Sequence, residues 1–496
     1  MDAAQQGSGE RVSMVIVGSG FGGLGMAVRL LQAGIDDFVI LEKAAAIGGV
    51  WRDNTYPGAA CDVPSHLYSF SFERRYRWSR VYSGQAEIAG YLEKLCDKHG
   101  LWSHLRLNAE LLSARFDDNR GLWEIETACG GRLRASILIT ATGQLNRPLY
   151  PDIPGLREFR GKLFHSSRWA HDYELSGKRV AVIGTGASAI QFVPQIAARV
   201  AQLHLFQRSA AYVLPKLDHR FSRFQHRLFD AVPALYSVAR AAIYSLFELL
   251  GIGFVRWRPL LVPLRAVALW HMRRSVKDPE LRRKLTPDYA IGCKRVLFAN
   301  DYFAALARPN VDVLTQGIAA VGAHEIRTQD GTRYEVDAII LGTGFSANEL
   351  LAPMDITGRG GVRLREAWRA GPEAYLGITV AGFPNLFMLY GPNTNLGHNS
   401  ILYMLESQFR YVLQAVQQLQ ARPGAALDVK PEVQARFNQR LQAELGRTVW
   451  SDGCRNWYTN DQGRIVNNWS GFTFEYRRLT RSFNLGDYQV LPGGAS

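Results

Sequence analysis

The chain has 496 residues, of which 47% are hydrophobic and 21% are charged. This length is too great for one hydrophobic core and predicts several domains, and the composition excludes extensive disorder. The formal net charge of +14 favours anionic partners. Because the basic residues are dispersed and accompany no recognition motif, we expect no nucleic acid to bind.

Cysteine usage and the N-terminal segment indicate the compartment. The five cysteines are Cys61, Cys96, Cys129, Cys293 and Cys454. They are scattered, odd in number and form no C-x-x-C pair, which argues for a reducing compartment and against a disulfide framework, a metal site or a dithiol flavoenzyme. The N-terminal segment lacks an apolar signal core, so we expect a cytoplasmic protein.

The first element is a dinucleotide-binding unit over residues 11–42, predicted as strand, glycine turn, helix and strand. The turn matches G-x-G-x-x-G, and its residues are Gly18, Gly20, Phe21 and Gly23. Such glycines let backbone amides and a helix N-terminus approach a pyrophosphate. Glu42 ends the second strand, where a carboxylate accepts hydrogen bonds from a free ribose diol. This unit therefore suits FAD.

A loop over residues 48–65, a helix over residues 87–99 and a β-rich stretch follow. The apolar strand 137–140 runs into Ala141-Thr142-Gly143, a turn suited to placing backbone near the flavin. Pro148, Pro151 and Pro154 then form a stiff linker, which predicts a domain boundary near residue 147.

The second dinucleotide-binding unit covers residues 179–208 and repeats the same pattern. Its turn residues are Gly184, Gly186, Ala187, Ser188 and Ala189. Arg208 follows Gly184 at the same spacing as Glu42 follows Gly18. A guanidinium at that position pairs with a 2′-phosphate, so the second unit suits NADPH, with Ser209 as a further contact.

An insert rich in Leu, Arg and aromatic residues interrupts the second unit after residue 215, and its spacing predicts helices. Charged residues cut its apolar runs below the roughly 18 residues that a membrane span requires. These residues are Arg240, Glu248, Arg256, Arg258 and Arg265. We favour a buried helical cap, and the alternative is a peripheral surface that rests on lipid with arginines at its rim.

The strand 337–345 repeats the strand-then-Thr-Gly pattern and closes the second unit. Asn393, in a polar loop before a helix over residues 401–420, is placed to contact the flavin or the substrate entrance. The sequence thus predicts an α/β fold with two Rossmann-like domains and an inserted helical subdomain. The FAD-binding domain is predicted at 1–146 and 346–496, the NADPH-binding domain at 147–215 and 292–345, and the insert at 216–291.

Two further motifs resemble a known family. Gly48-Gly49-Val50-Trp51, Tyr56-Pro57-Gly58 and Asp62 resemble the [AG]-G-x-W-x4-[FY]-P-[GM]-x3-D pattern of type I Baeyer–Villiger monooxygenases. Phe159, Gly161, His165 and Trp169 resemble the fingerprint shared with flavin-containing monooxygenases. That fingerprint usually continues with Pro or Asp, where this chain has Ala170.

The resemblance implies a reaction in which NADPH reduces FAD, dioxygen forms a C4a-peroxyflavin, and a hydrophobic ketone becomes an ester or lactone. It makes Arg295 the cation that stabilises the peroxy anion, because a guanidinium stays charged, and it makes Asp62 the residue that orients Arg295. Lys294 would join Arg208 on the 2′-phosphate. Trp51 and Tyr56 would pack near the flavin ring, and His165 and Trp169 would be functional motif residues.

Two other functions stay open at this point. A flavin-containing monooxygenase that oxidises nitrogen or sulfur would need no active-site arginine. A flavoprotein NADPH reductase would pass electrons to a partner without oxygenating anything.

Overall fold

The structure is a computed structural model that describes residues 9–73, 76–454 and 456–492. Within them the strands are β1 (Glu10–Val17), β2 (Phe38–Leu41), β3 (Leu105–Arg106), β4 (Leu111–Asp117), β5 (Leu122–Thr127), β6 (Arg132–Thr140), β7 (Lys162–His165), β8 (Arg179–Ile183), β9 (Gln202–Phe206), β10 (Val213–Leu214), β11 (Leu297–Phe298), β12 (Val311–Leu314), β13 (Ile318–Val321), β14 (Glu325–Thr328), β15 (Arg333–Glu335), β16 (Ala338–Leu341), β17 (Asp355–Thr357), β18 (Leu386–Met388), β19 (Ala426–Val429) and β20 (Tyr488–Leu491). The helices are α1 (Phe21–Gln32), α2 (Val50–Asp53), α3 (Gln85–His99), α4 (Ala189–Ala197), α5 (Arg223–Ala231), α6 (Pro233–Val255), α7 (Val262–Ser275), α8 (Pro279–Lys284), α9 (Tyr302–Leu306), α10 (Leu364–Ala367), α11 (Ile401–Gln420), α12 (Pro431–Leu445) and α13 (Thr473–Leu479).

The first sheet contains the first predicted dinucleotide-binding unit. Its strand order is β17-β4-β5-β6-β1-β2-β3, and β18 pairs with β6. β1, β2, β6 and β18 run parallel to their neighbours in this group, and α1 connects β1 to β2. Thr140 at the end of β6 is in register with both Val17 and Met388. The chain segments that follow these three strands therefore meet at one edge of the sheet.

The second sheet contains the second predicted unit and has the order β12-β9-β8-β16-β7. All its pairs are parallel. Its central strands are buried on both faces, as Val180, Ala181 and Val182 of β8 show with no exposed surface, which matches their apolar sequences. The domain boundaries given above stay predictions.

The insert forms α5 to α8. In the described residues α6 is the one helix long and apolar enough to cross a bilayer by length and composition. Its two charged side chains turn toward the rest of the protein. Arg240 Nη1 donates to the carbonyl oxygen of Ser69 at 2.9 Å, and Glu248 Oε1 accepts from Asn399 Nδ2 at 2.6 Å. The expected buried cap is wrong for the opposite side of α6, where Val238 and Leu249 are each 62% exposed.

Close packing of α1 on α11 fixes the first unit. An added Cβ on Gly25 of α1 would lie 2.6 Å from ring carbons of Phe409 in α11 and of Phe70. All three residues belong to the buried core around the first sheet or touch it. Only a glycine allows these aromatic rings to approach the helix so closely.

We expect Gly25→Ala to lower the free energy of unfolding by about 1–3 kcal/mol, because overpacking outweighs the gain in helix propensity. Gly90 is the matched control in α3, where an added Cβ would meet nothing nearer than the Tyr76 hydroxyl at 3.9 Å. Gly90→Ala should raise stability by about 0.5–1 kcal/mol. Thermal unfolding monitored by circular dichroism measures both changes, and equal midpoints for the two variants would contradict this account of the packing.

Candidate functional site

The turn after β1 leaves no room for a side chain at two of its glycines. Gly18 has φ +103°, and a Cβ there would lie 2.7 Å from the carbonyl oxygen of Ala141. A Cβ on Gly23 would collide with the carbonyl oxygen of Gly18. The turn and the start of α1, at Phe21, therefore form a cradle of bare backbone of the kind that admits a pyrophosphate.

Glu42, which follows β2, is buried and 4% exposed. Its Oε2 accepts from the Ser19 amide at 3.0 Å and from the Ser19 hydroxyl at 2.6 Å. Its Oε1 accepts from the Ala44 amide at 3.0 Å and from Arg52 Nη1 at 2.7 Å. The carboxylate thus stands beside the glycine turn, as predicted, and also holds that turn in place. Sequence reasoning missed Ser19 and Arg52 as its partners.

Unsatisfied polar atoms collect at the edge of the first sheet where β1, β6 and β18 end. Thr140 Oγ1, Gln144 Oε1 and Asn393 Oδ1 are buried and have no hydrogen-bond partner in the part of the chain that the structure describes. The Asn393 amide group Nδ2 donates to the carbonyl oxygens of Ile465 at 2.9 Å and Asn468 at 3.0 Å. Buried polar atoms normally find partners. These orphaned oxygens therefore fit a site built to receive a polar group from outside the chain.

The turn after β8 is open to solvent. A Cβ on Gly184, which has φ +110°, would collide with the carbonyl oxygen of Gly342. Gly186 and Ala187 are exposed, and a Cβ on Gly186 would meet nothing within 4 Å. Ser188 precedes α4 without capping it through its side chain. The first backbone amides of α4 are thus accessible to an anion.

Two cations lie next to this turn. Lys294 Nζ donates to Ser209 Oγ at 2.8 Å and lies 4.4 Å from the centre of the Tyr289 ring. Burial and the nearby positive charge of Arg208 both lower the pKa of Lys294. Arg208 itself is exposed. The fold therefore brings together the three predicted residues Arg208, Ser209 and Lys294. A bound phosphate would offset the repulsion between the two adjacent positive charges.

Arg295 and Asp62 form the predicted ion pair. Both Arg295 Nε and Arg295 Nη2 donate to Asp62 Oδ2, at 2.9 Å and 2.7 Å. The side chains are 31% and 23% exposed, so the pair lies in a partly open crevice. The Asp62 carboxylate raises the pKa of Arg295, and the guanidinium stays charged throughout the working pH range.

Two tyrosines that sequence reasoning missed lie near this pair. The positive charge of Arg295 acts to lower the pKa values of both Tyr390 and Tyr458, but burial dominates and raises that of Tyr458 to about 12. Tyr390 donates to Asn395 Oδ1 at 2.6 Å. The Tyr458 hydroxyl is buried and has no partner among the described residues. No motif around either residue distinguished it in the sequence.

The loop of the first motif reaches across to the second unit. Tyr56 donates to Gln191 Oε1 in α4 at 3.0 Å, and its ring packs in the core around the second sheet, 5.9 Å from that of Phe192. Trp51 stays with the first unit, where its Nε1 donates to the Tyr68 hydroxyl at 3.1 Å. Tyr56, one of these two predicted flavin contacts, thus lies in a hydrophobic core between the loop of the first motif and α4.

His165 and Trp169 both hold the second unit together. His165 Nε2 donates to the carbonyl oxygen of Gly344 at 3.0 Å, and its Nδ1 accepts from the Ser167 amide at 3.2 Å. Burial lowers the pKa of His165, so the ring is neutral at physiological pH. The Trp169 ring lies 5.2 Å from that of Phe192. The contacts of both residues are those of structural positions.

A disulfide lies next to the catalytic candidate. Cys293, two residues before Arg295, is bonded to Cys454, with 6.3 Å between their Cα atoms. Asn456 Nδ2 also donates to the carbonyl oxygen of Cys293 at 3.2 Å. The sequence argued against disulfides, and for this pair the interpretation was wrong, because only the tertiary fold brings the two cysteines together.

Comparison with known proteins gives matches of three kinds: a family model, related sequences and a solved structure. The family model described as pyridine nucleotide-disulphide oxidoreductase matches residues 15–218. A Baeyer-Villiger monooxygenase of Pseudomonas aeruginosa is 49% identical, covering 96% of this chain and 91% of its own length, and one of Streptomyces coelicolor is 47% identical, covering 97% and 93%. The crystal structure of cyclohexanone monooxygenase from Rhodococcus sp. Phi1 bound to NADP+ has a TM-score of 0.89 at 27% identity, covering 98% of this chain and 100% of that one.

His398 is a buried histidine from which we expect an effect on stability that depends on pH. Its ring lies beneath α6, fully buried, with neither nitrogen hydrogen-bonded among the described residues and Glu248 Oε1 4.0 Å away. Burial lowers the pKa of His398 to about 4. As pH falls from about 6.5 toward 4, the unfolded chain takes up a proton that the native imidazole refuses, so the free energy of unfolding falls.

Between pH 7 and pH 4.5, the free energy of unfolding should therefore fall by about 2–3 kcal/mol less for His398→Gln than for the wild-type protein. Urea unfolding at a series of pH values measures this difference. His324→Gln, at an exposed position, is the control and should follow the wild-type curve. Parallel curves for His398→Gln and wild type would show that His398 is not buried in its neutral form.

Proposed function

The chain belongs to the Baeyer–Villiger monooxygenases, and on that premise we propose how its own residues serve the reaction. It is an NADPH-dependent flavin monooxygenase that binds FAD and inserts one oxygen atom of dioxygen next to a ketone carbonyl, giving an ester or lactone. The predicted family, the α/β fold with two Rossmann-type domains and the two cofactors are confirmed. The observation that carries the residue assignment is the Arg295–Asp62 pair.

We assign the FAD site to the edge of the first sheet. The cradle at Gly18, Gly20, Phe21 and Gly23 would hold the pyrophosphate. Glu42 would accept from the adenosine ribose once the Ser19 hydroxyl, which can rotate, has turned away from Oε2. The orphaned Asn393 oxygen and its neighbours would receive polar atoms of the flavin ring, with Trp51 beside the turn. The domain ranges predicted from the sequence are part of this proposal.

We assign the NADPH site to the open turn after β8. Gly184, Gly186, Ala187 and Ser188 would present backbone to the pyrophosphate. Arg208, Ser209 and Lys294 would bind the 2′-phosphate, whose charge offsets the repulsion between the two cations. The bound cofactors supply hydride transfer and the activation of dioxygen. Tyr56, His165 and Trp169 support this unit from within.

Arg295 would stabilise negative charge on the reacting oxygens beside the ketone carbonyl. A guanidinium can do so at every working pH, and a partly dehydrated site strengthens the interaction. Asp62 would fix the direction of the guanidinium through the two bonds to Oδ2, which leave Arg295 Nη1 for the reacting atoms. A hydrophobic ketone suits the apolar core next to Arg295, to which the insert contributes Phe254, Val255 and Leu261. We expect the enzyme to act in the cytoplasm.

Replacing Arg295 by Ala should lower ester formation by about 10²–10³-fold or more, because one preorganised charge is lost. NADPH oxidation should continue and release peroxide. Product analysis by gas chromatography beside an NADPH absorbance assay separates the two. Arg199→Ala, a loss of an exposed arginine paired with Glu174, is the control and should behave as wild type. Ester formation that survives Arg295→Ala would contradict the assignment.

Replacing Arg208 by Gln should weaken NADP+ binding by about 10–100-fold, since charge-assisted bonds to the 2′-phosphate are lost. Binding of NAD+, which lacks that phosphate, should change little. Isothermal titration of each coenzyme measures the effect without turnover, with Arg199→Gln as control. A parallel loss of affinity for both coenzymes would place Arg208 away from the 2′-phosphate.

A further inference from the structure

One side of the helical insert exposes large apolar side chains. We define the outer face of the insert by these residues: Leu235, Val238, Leu246 and Leu249 of α6, with Trp257 and Leu260 of the turn that follows. Leu246 is 55%, Leu249 62% and Trp257 58% exposed. The four α6 residues are spaced along one side of the helix. An exposed apolar patch of this kind marks a contact with something else.

The polar residues of α6 face the opposite way, which is the reverse of a normal surface helix. Arg240 donates to backbone carbonyls of the segment 66–69. Glu248 is buried and accepts from Asn399 and Thr473. Because these bonds fix the charged side chains inside the protein, α6 cannot leave the fold to span a bilayer. Its apolar side is therefore available to contact a partner while the fold stays intact.

The surroundings of the outer face are strongly basic. Residues 220–275 contain nine arginines against two acidic residues, Asp230 and Glu248, for a net charge of +7. Glu248 is buried, and Asp230 pairs with Arg77. Arg256 and Arg258 pair with Glu475 and Asp452 outside the insert, whereas Arg223, Arg227, Arg273 and Arg274 are exposed. Because α5, which carries Arg223 and Arg227, packs against α6, exposed positive charge lies beside the apolar residues of α6.

These properties select one kind of partner. In a symmetric dimer the same face would meet itself, and the basic borders of the two copies would repel each other. An anionic membrane surface instead attracts the arginines, and its headgroup region accepts leucine, valine and tryptophan side chains. We propose that the outer face of the insert rests on the surface of a bilayer containing anionic lipids. This inference is independent of the residue roles assigned above.

Sedimentation of the full-length holoenzyme with sucrose-loaded vesicles tests the proposal. The vesicles contain phosphatidylcholine alone or with about one-quarter phosphatidylglycerol. We expect binding to the anionic vesicles only, weakened by raised salt. The double variant Leu246→Ser with Leu249→Ser should lower the partition coefficient by about tenfold or more, because it removes apolar area that enters the bilayer.

The matched control is Leu112→Ser with Val490→Ser, which removes two apolar side chains exposed by 50% and 44% outside the insert. It should bind vesicles as wild type does, and both double variants should keep their flavin absorbance. Absence of wild-type binding to anionic vesicles would overturn the proposal, as would equal binding by the insert variant. A dimer in mass photometry that the insert variant dissociates would also overturn it, because a second copy would then cover the face.

Discussion

The ion pair between Arg295 and Asp62 joins segments that are 233 residues apart in sequence. Asp62 lies in a loop that leaves the first sheet, and Arg295 lies two residues before β11, after the insert that interrupts the second unit. Removing two charges partly from water is unfavourable unless their geometry is held closely. Everything that fixes the two nucleotide units against each other therefore also determines whether this pair can form.

The loop over residues 48–62 provides much of that constraint. Tyr56 enters the core of the second unit and hydrogen-bonds Gln191, while a Cβ on Gly58 would lie 2.7 Å from the Gln191 carbonyl oxygen. The glycine thus permits close contact between loop and α4, and Asp62 follows four residues later. A motif defined by sequence alone acts here as a connector. It joins the first sheet to α4 of the second unit and brings Asp62 to Arg295.

The features that depend on residues close together in the chain could be predicted from the sequence. The glycine turns and the charges at Glu42 and Arg208 depend on spacing within one unit, so the sequence predicts them. The position of Tyr56 could not be predicted, because an aromatic residue in a loop carries no sign of which core it will enter. The same holds for Tyr458 near Arg295 and for the outward apolar side of α6, where the partners of Arg240 and Glu248 come from distant segments. The pairing of Arg295 with Asp62 required the family resemblance.

The bond between Cys293 and Cys454 closes a covalent ring, and this ring contains β16 of the second sheet and β18 of the first. The two cysteines are separated by 161 residues. In the chain-entropy description, closing a loop of this length lowers the entropy of the unfolded chain and stabilises the folded protein by roughly 5 kcal/mol. Since both sheets contribute strands to the ring, denaturing one sheet leaves its ends tethered through the other. The oxidation state of two sulfur atoms thus determines how strongly the unfolded chain is constrained across segments of both sheets.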